Sequence, residues 1–127
     1  MDEVGVYIFL VGDYDRPLYA EPDLGDEDPG LWVTLCEAVE EAADGDRPRS
    51  GTEEEGEVRF GWRLPPKTGL AFVATVDASV AAKHLDAYLA ELTERYLDEI
   101  VDRRNPEPDD VEAVIIDVVL PWEDEED

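Results

Sequence analysis

Val58-Arg59-Phe60-Gly61-Trp62-Arg63-Leu64 alternates apolar side chains with arginine and glycine, and Leu70-Ala71-Phe72-Val73-Ala74-Thr75-Val76 is apolar at nearly every position. The first run has the period of two expected of a strand with one buried face. The second has no polar face, which suits a strand covered on both sides. Pro65-Pro66-Lys67-Thr68-Gly69 supplies turn residues between them, so the two read as a hairpin. Directly afterwards the period changes: Leu85, Tyr88, Leu89, Leu92, Tyr96 and Ile100 recur at helical spacing. Asp77 is placed to cap a helix starting at Ala78 and running to about Arg103, close to about 40 Å long at the α-helical rise. Arg103 and Arg104 suit its negative end, and Asn105-Pro106 stops it.

The N-terminal side repeats the theme. Val4-Gly5-Val6-Tyr7-Ile8-Phe9-Leu10-Val11 reads as a buried central strand. Gly12-Asp13-Tyr14-Asp15 turns the chain into a shorter strand, Arg16-Pro17-Leu18-Tyr19-Ala20, which Pro17 assigns to a sheet edge. Asp28-Pro29 has the form of an N-cap with proline at the first helical position, and Leu31, Trp32, Leu35, Cys36, Val39, Ala42 and Ala43 follow at helical spacing, ending near Asp44-Gly45. Residues 45–56 carry no large apolar side chain and read as an exposed, mobile loop. Val111, Val114, Ile115, Val118 and Val119 have helical spacing but β-branched character; a short helix is the preferred reading over a strand, with an acidic disordered tail at 123–127.

The 127 residues suit one domain, 1–122, and 43% hydrophobic content is enough for a real core. A single cysteine, Cys36, allows no internal disulfide. No apolar run is long enough to span a bilayer, and Met1-Asp2-Glu3 is acidic where a secretory signal is basic, so a cytoplasmic protein is expected. Charge is the strongest compositional signal: 35 Asp and Glu against 10 Lys and Arg give −25, and only Lys67 and Lys83 are lysines. Such a surface disfavours nucleic acid and anionic membranes. It resembles the acid-rich, lysine-poor surfaces of proteins from salt-accumulating haloarchaea, whose self-repulsion molar salt screens over about 3 Å.

Strand, strand, helix, strand, strand, long helix, short helix is an α/β (α+β) order that resembles the longin, or SNARE-like, domain of sedlin and the clathrin-adaptor sigma subunits. Val6 to Tyr19 has the shape of the family's opening hairpin, Phe60 to Val76 that of its middle hairpin, and Leu85 to Leu120 that of its closing helices. The resemblance implies an antiparallel sheet of four to five strands with helices on both faces. It also implies a non-catalytic platform that docks a small Ras-like GTPase or another trafficking or scaffold protein, or forms a homodimer. Only four strands are identified; residues 50–57 could hold a fifth, but nothing apolar supports it.

No residue pattern marks a catalytic centre. His84, the only histidine, lies beside the apolar stripe of the long helix, and Cys36 has no basic neighbour in sequence to activate it. Asp13 with Asp15, Glu53 to Glu55, and Asp109 with Asp110 lack calcium-loop spacing and read as solvated charge. The glycines form no phosphate-binding cluster. An interaction module without cofactor or metal is therefore expected, with Trp32, Arg59, Trp62, Arg63 and Lys67 as partner-binding residues around the first helix and the 58–64 strand. Trp62 reads first as core, because it alternates inward with Phe60 and Leu64. The alternative is a small ligand-binding or enzymatic domain using His84 or an acidic pocket.

Overall fold

The two most apolar strands, distant in sequence, lie side by side at the centre of the sheet. In the computed structural model, which describes residues 5–12, 17–21, 29–65 and 68–99, β1 (Gly5–Leu10) runs antiparallel to β5 (Leu70–Asp77), with Gly5 opposite Thr75 and Leu10 opposite Leu70. β2 (Tyr19–Glu21) pairs with the outer side of β1. β4 (Val58–Arg63) pairs with β5, and β3 (Ser50–Glu55) with β4. All pairings are antiparallel, and the order is β2-β1-β5-β4-β3. With α1 (Pro29–Asp44) and α2 (Ala82–Glu99), the domain is an α+β fold.

Alternation along the strands divides the core in two. Val6, Ile8, Phe72, Ala74 and Val76 face α2, where Leu85, Tyr88, Leu89, Leu92 and Tyr96 close over them. Tyr7, Phe9, Phe60, Trp62, Ala71 and Val73 face α1, against Leu31, Leu35, Ala38, Val39 and Ala42. Each fully buried large side chain contributes about 1.5–3 kcal/mol, so both helices are anchored mainly by their apolar stripes. Gly61 points towards α2: a Cβ there would lie 2.8 Å from Leu89 Cδ1 and 3.2 Å from the Gly51 carbonyl oxygen. Its missing side chain is what lets the helix approach β4.

Helix α1 ends as its sequence predicts. Gly45, at φ 90°, donates to the Ala42 carbonyl and Asp46 donates to the Glu41 carbonyl. This paired arrangement satisfies the last carbonyls of the helix. Asp28, the expected N-cap, lies outside the described residues, as do Asp13, Tyr14, Asp15, Asp109, Asp110, the 111–120 segment and the 123–127 tail. No helix among the described residues is long and apolar enough to cross a membrane.

Three expectations are corrected. Residues 50–55 are not loop but β3, in full register with β4 from Ser50 opposite Arg63 to Glu55 opposite Val58. An edge strand needs hydrogen-bonding neighbours rather than apolar side chains, and a two-residue turn with Gly56 at φ 63° closes this hairpin. The second strand, expected from Arg16, which lies outside the described residues, is in register from Tyr19. The Leu18 N–H donates to the Ile8 carbonyl at 2.7 Å, one residue out of the Ile8–Tyr19 pairing, and Pro17 has no N–H to give. Finally, Asp77 caps a turn, not a helix. Its Oδ1 accepts from the Ser79 N–H at 2.8 Å, Val80 N–H donates to the Asp77 carbonyl, and α2 starts at Ala82. Arg59 takes the Ala78 and Val80 carbonyls at 3.2 and 2.8 Å, two acceptors a helix from Ala78 would have used itself. The bond from Ser79 also holds the Asp77 carboxyl below its ordinary pKa.

Burial under α2 raises the Tyr88 phenol to about 12, and the nearby Tyr19 raises it further in the same direction. Its folded pKa lies above the unfolded value near 10. The folded state therefore holds the proton more tightly, and stability is complete below pH 10 and lost as pH climbs towards 12. Urea unfolding across that window should show a loss of order 2–3 kcal/mol in the wild type, since each pKa unit corresponds to about 1.4 kcal/mol. The loss should be absent from Tyr88→Phe at this site.

Candidate functional site

Between α1 and the β3–β4 hairpin the sheet extends beyond the helix that covers it. Odd-numbered residues of β3 share the α1 face with the core positions of β4, as Gly51 opposite Trp62, Glu53 opposite Phe60 and Glu55 opposite Val58 require. At the N-terminal end of α1, Gly30, Leu31 and Thr34 face Glu55, Gly56 and Val58 across an open hollow of about 370 Å³. Leu31 and Val58 give its floor an apolar character, while the exposed Glu55 sets its charge.

Arg47 closes the margin at the other end of α1. Its Nε lies 3.0 Å from Glu41 Oε1 and its Nη1 2.6 Å from Glu53 Oε1. The hydrogen bond to Glu41 and then that to Glu53 raise its pKa above the ordinary arginine value. The same guanidinium stands 5.4 Å from the centre of the Trp62 ring. Partly exposed ion pairs contribute about 0–1 kcal/mol and a cation over an indole about 0.5–1 kcal/mol. Arg47 thus ties helix, edge strand and core together by several modest terms.

The residues expected to bind a partner do not form one surface. Trp62 is only 4% exposed, donates its indole N–H to the Pro48 carbonyl at 2.9 Å, and belongs to the core under α1. Gly51 makes room for that ring, because a Cβ there would fall 2.9 Å from Trp62 Cζ2. Trp32 is half-buried and packs its ring 5.7 Å from both Tyr7 and Phe9 on the same face. Arg59 and Arg63 project to the opposite face, towards α2. Arg59 bonds the turn before α2 and lies 2.7 Å from Glu54 Oε1. Arg63 reaches Asp86 at 3.4 Å, and its buried Nε has no hydrogen-bond partner among the described residues. The arginines therefore brace the hairpin against α2 instead of forming a free basic patch. Lys67 lies outside the described residues.

The alternative site residues are also placed. His84 stands in the first turn of α2, half-buried, with its backbone N–H donating to the Ala81 carbonyl. Cys36 is half-buried on α1. An acidic hollow of about 210 Å³ on α2 is lined by Glu91, Glu94, Arg95 and Asp98, and Arg95 already pairs with Glu91 at 3.0 Å. Among the described residues no group of three or more histidines, cysteines or carboxylates is placed to hold a metal ion. Sequence reasoning did not reach the hollow beside Glu55 because it preferred a loop at 45–56 and left the fifth strand at 50–57 open. The available signal was Gly56, flanked by residues able to pair across a two-residue turn.

No protein-family model matches the chain, and no curated protein matches it.

Proposed function

We propose that the protein is a non-catalytic interaction module of longin type, docking a partner protein along the margin between α1 and the β3–β4 hairpin. The observation that carries this reading is the margin itself, where, among the described residues, an edge strand with no outer partner, a helix end and an open hollow meet. The strand order and a helix against each face of the sheet support the longin-type part of the reading. By the same resemblance, the partner is a small Ras-like GTPase, a trafficking or scaffold protein of the cytoplasm, or a second copy of the chain.

The test uses the immobilised protein in molar KCl with lysate of a salt-adapted host, and identifies captured proteins by mass spectrometry with GDP or a non-hydrolysable GTP analogue added. Thr34→Arg fills the hollow from the solvent side of α1 and should leave the thermal midpoint nearly unchanged. The expected result is a protein enriched by the wild type and reduced at least tenfold by Thr34→Arg. Capture that differs between the two nucleotides would identify a GTPase. A strictly monomeric protein that enriches nothing, or capture indifferent to Thr34→Arg, overturns the reading.

A further inference from the structure

We infer that the partner's docking segment is an extended, basic stretch of chain that adds to the free edge of β3 as a sixth strand. This rests on the interaction-module reading above and specifies the chemistry of the partner at that margin. The sheet ends at β3, and no strand pairs with its outer side among the described residues. The Leu64 N–H donates to the Arg49 carbonyl at 2.8 Å. In an antiparallel ladder, hydrogen-bonded pairs alternate with pairs whose backbone groups point away. Continuing the register from Arg49 and Leu64, residues 51, 53 and 55 bond to β4, while Ser50, Thr52 and Glu54 turn their N–H and C=O groups outward. Ser50 and Glu54 are exposed and Thr52 is partly exposed, and no strand among the described residues pairs with this row.

The edge strand holds no proline and no lysine. It is guarded instead by charge. Glu53, Glu54, Glu55 and Glu57 crowd one end of the hairpin on a chain of net charge −25, which repels a second copy and favours a cationic strand. Glu53 and Glu54 already hold Arg47 and Arg59. No ion pair engages Glu55 among the described residues, and it stands at the rim of the hollow formed with Leu31, Thr34 and Val58. A side chain on an added strand that projects to the α1 face beside Glu55 would enter that hollow. A lysine or arginine suits it, with an aliphatic stem against Leu31 and Val58 and a charged head at the Glu55 carboxylate.

A short fluorescein-labelled peptide alternating arginine with threonine tests the inference by fluorescence anisotropy, at physiological ionic strength and in molar KCl. Its control is the same peptide N-methylated at every other residue, which keeps the charge but removes the donors on one edge. The expected result is at least tenfold weaker binding of the methylated peptide to the wild-type protein, persisting in molar KCl. Thr52→Pro removes an outward N–H without touching the bonds to β4, and should weaken the unmodified peptide at least tenfold; Glu55→Arg should also weaken it. Should Thr52→Pro not fold, the two peptides on the wild type still decide. Equal binding of both peptides, or no binding of either, overturns the inference. So does sedimentation showing that the edge pairs with a second copy. A partner lost by Thr34→Arg but fully retained by a folded Thr52→Pro would likewise overturn the edge strand while leaving the docking function standing.

Discussion

Replacing Trp62 by alanine is expected to cost about 3–5 kcal/mol of folding stability, the range for emptying a buried aromatic position. Domains of this size are held by about 5–15 kcal/mol in total, so the loss is a large share of the whole. The ring fills the space between α1, Phe60 and Gly51 and is 4% exposed. Its removal also leaves the Pro48 carbonyl without its donor and Arg47 without the ring beneath it. Trp62→Phe retains most of the packing but not the indole N–H, and should cost about 1–1.5 kcal/mol, the typical worth of one hydrogen bond. Trp32→Ala should cost less than half as much as Trp62→Ala, since Trp32 only fringes the same core. Urea titrations with unchanged slopes would make these midpoints directly comparable. A cost below about 1 kcal/mol for Trp62→Ala, typical of a surface change, would return Trp62 to the list of contact residues.

Transfer from dilute buffer to molar KCl is expected to raise the melting temperature by ten degrees or more, to order of magnitude. On a domain of this size each kcal/mol moves the midpoint by about 3–5 °C. Glu37, Glu40, Glu41 and Asp44 on α1, and Glu91, Glu94 and Asp98 on α2, stand three or four residues apart and so lie near one another on their helices. Two like charges about 7 Å apart in water repel by roughly 0.6 kcal/mol, and many such pairs sum to several kcal/mol. Salt shortens the screening length from about 10 Å at 0.1 M to about 3 Å at 1 M. It also weakens attractive pairs such as Arg59 with Glu54 and Arg47 with Glu53. The sign follows from the balance of 35 acidic against 10 basic residues, which leaves far more repulsion than attraction to screen. Thermal unfolding at a series of KCl concentrations, with sucrose as an uncharged control, measures the effect. A midpoint that stays flat in KCl would show the carboxylates spaced widely enough to be indifferent to one another.

Legibility followed the apolar pattern. β1, β4 and β5 were readable because burial on one or both faces leaves a period of two or a continuous run in the side chains. Both helices were readable from their stripes, and the end of α1 from Gly45. The start of α2 was misread because Asp77 is a good capping residue wherever it stands, while Arg59, distant in sequence, decides which carbonyls remain for the helix. The candidate site was only half visible. Trp32 and Trp62, both named in the sequence reading as partner-binding residues, share the α1 face, but Arg59 and Arg63, neighbours of Trp62 in sequence, lie across the sheet from it. Strand alternation separates adjacent residues to opposite faces.

By itself the chain specified an acidic α+β domain with two apolar central strands, because solvent exclusion acts on composition and period, both local properties of sequence. Tertiary structure alone decided that Ser50-Gly51-Thr52-Glu53-Glu54-Glu55 is the last strand of the sheet. Of those side chains only Thr52 favours a strand; β4 supplies the hydrogen bonds, Gly51 yields space to Trp62, and Arg47 and Arg59 hold the glutamates from either face. The hollow beside Glu55 exists only once that strand is in place, since its walls come from segments that meet through folding.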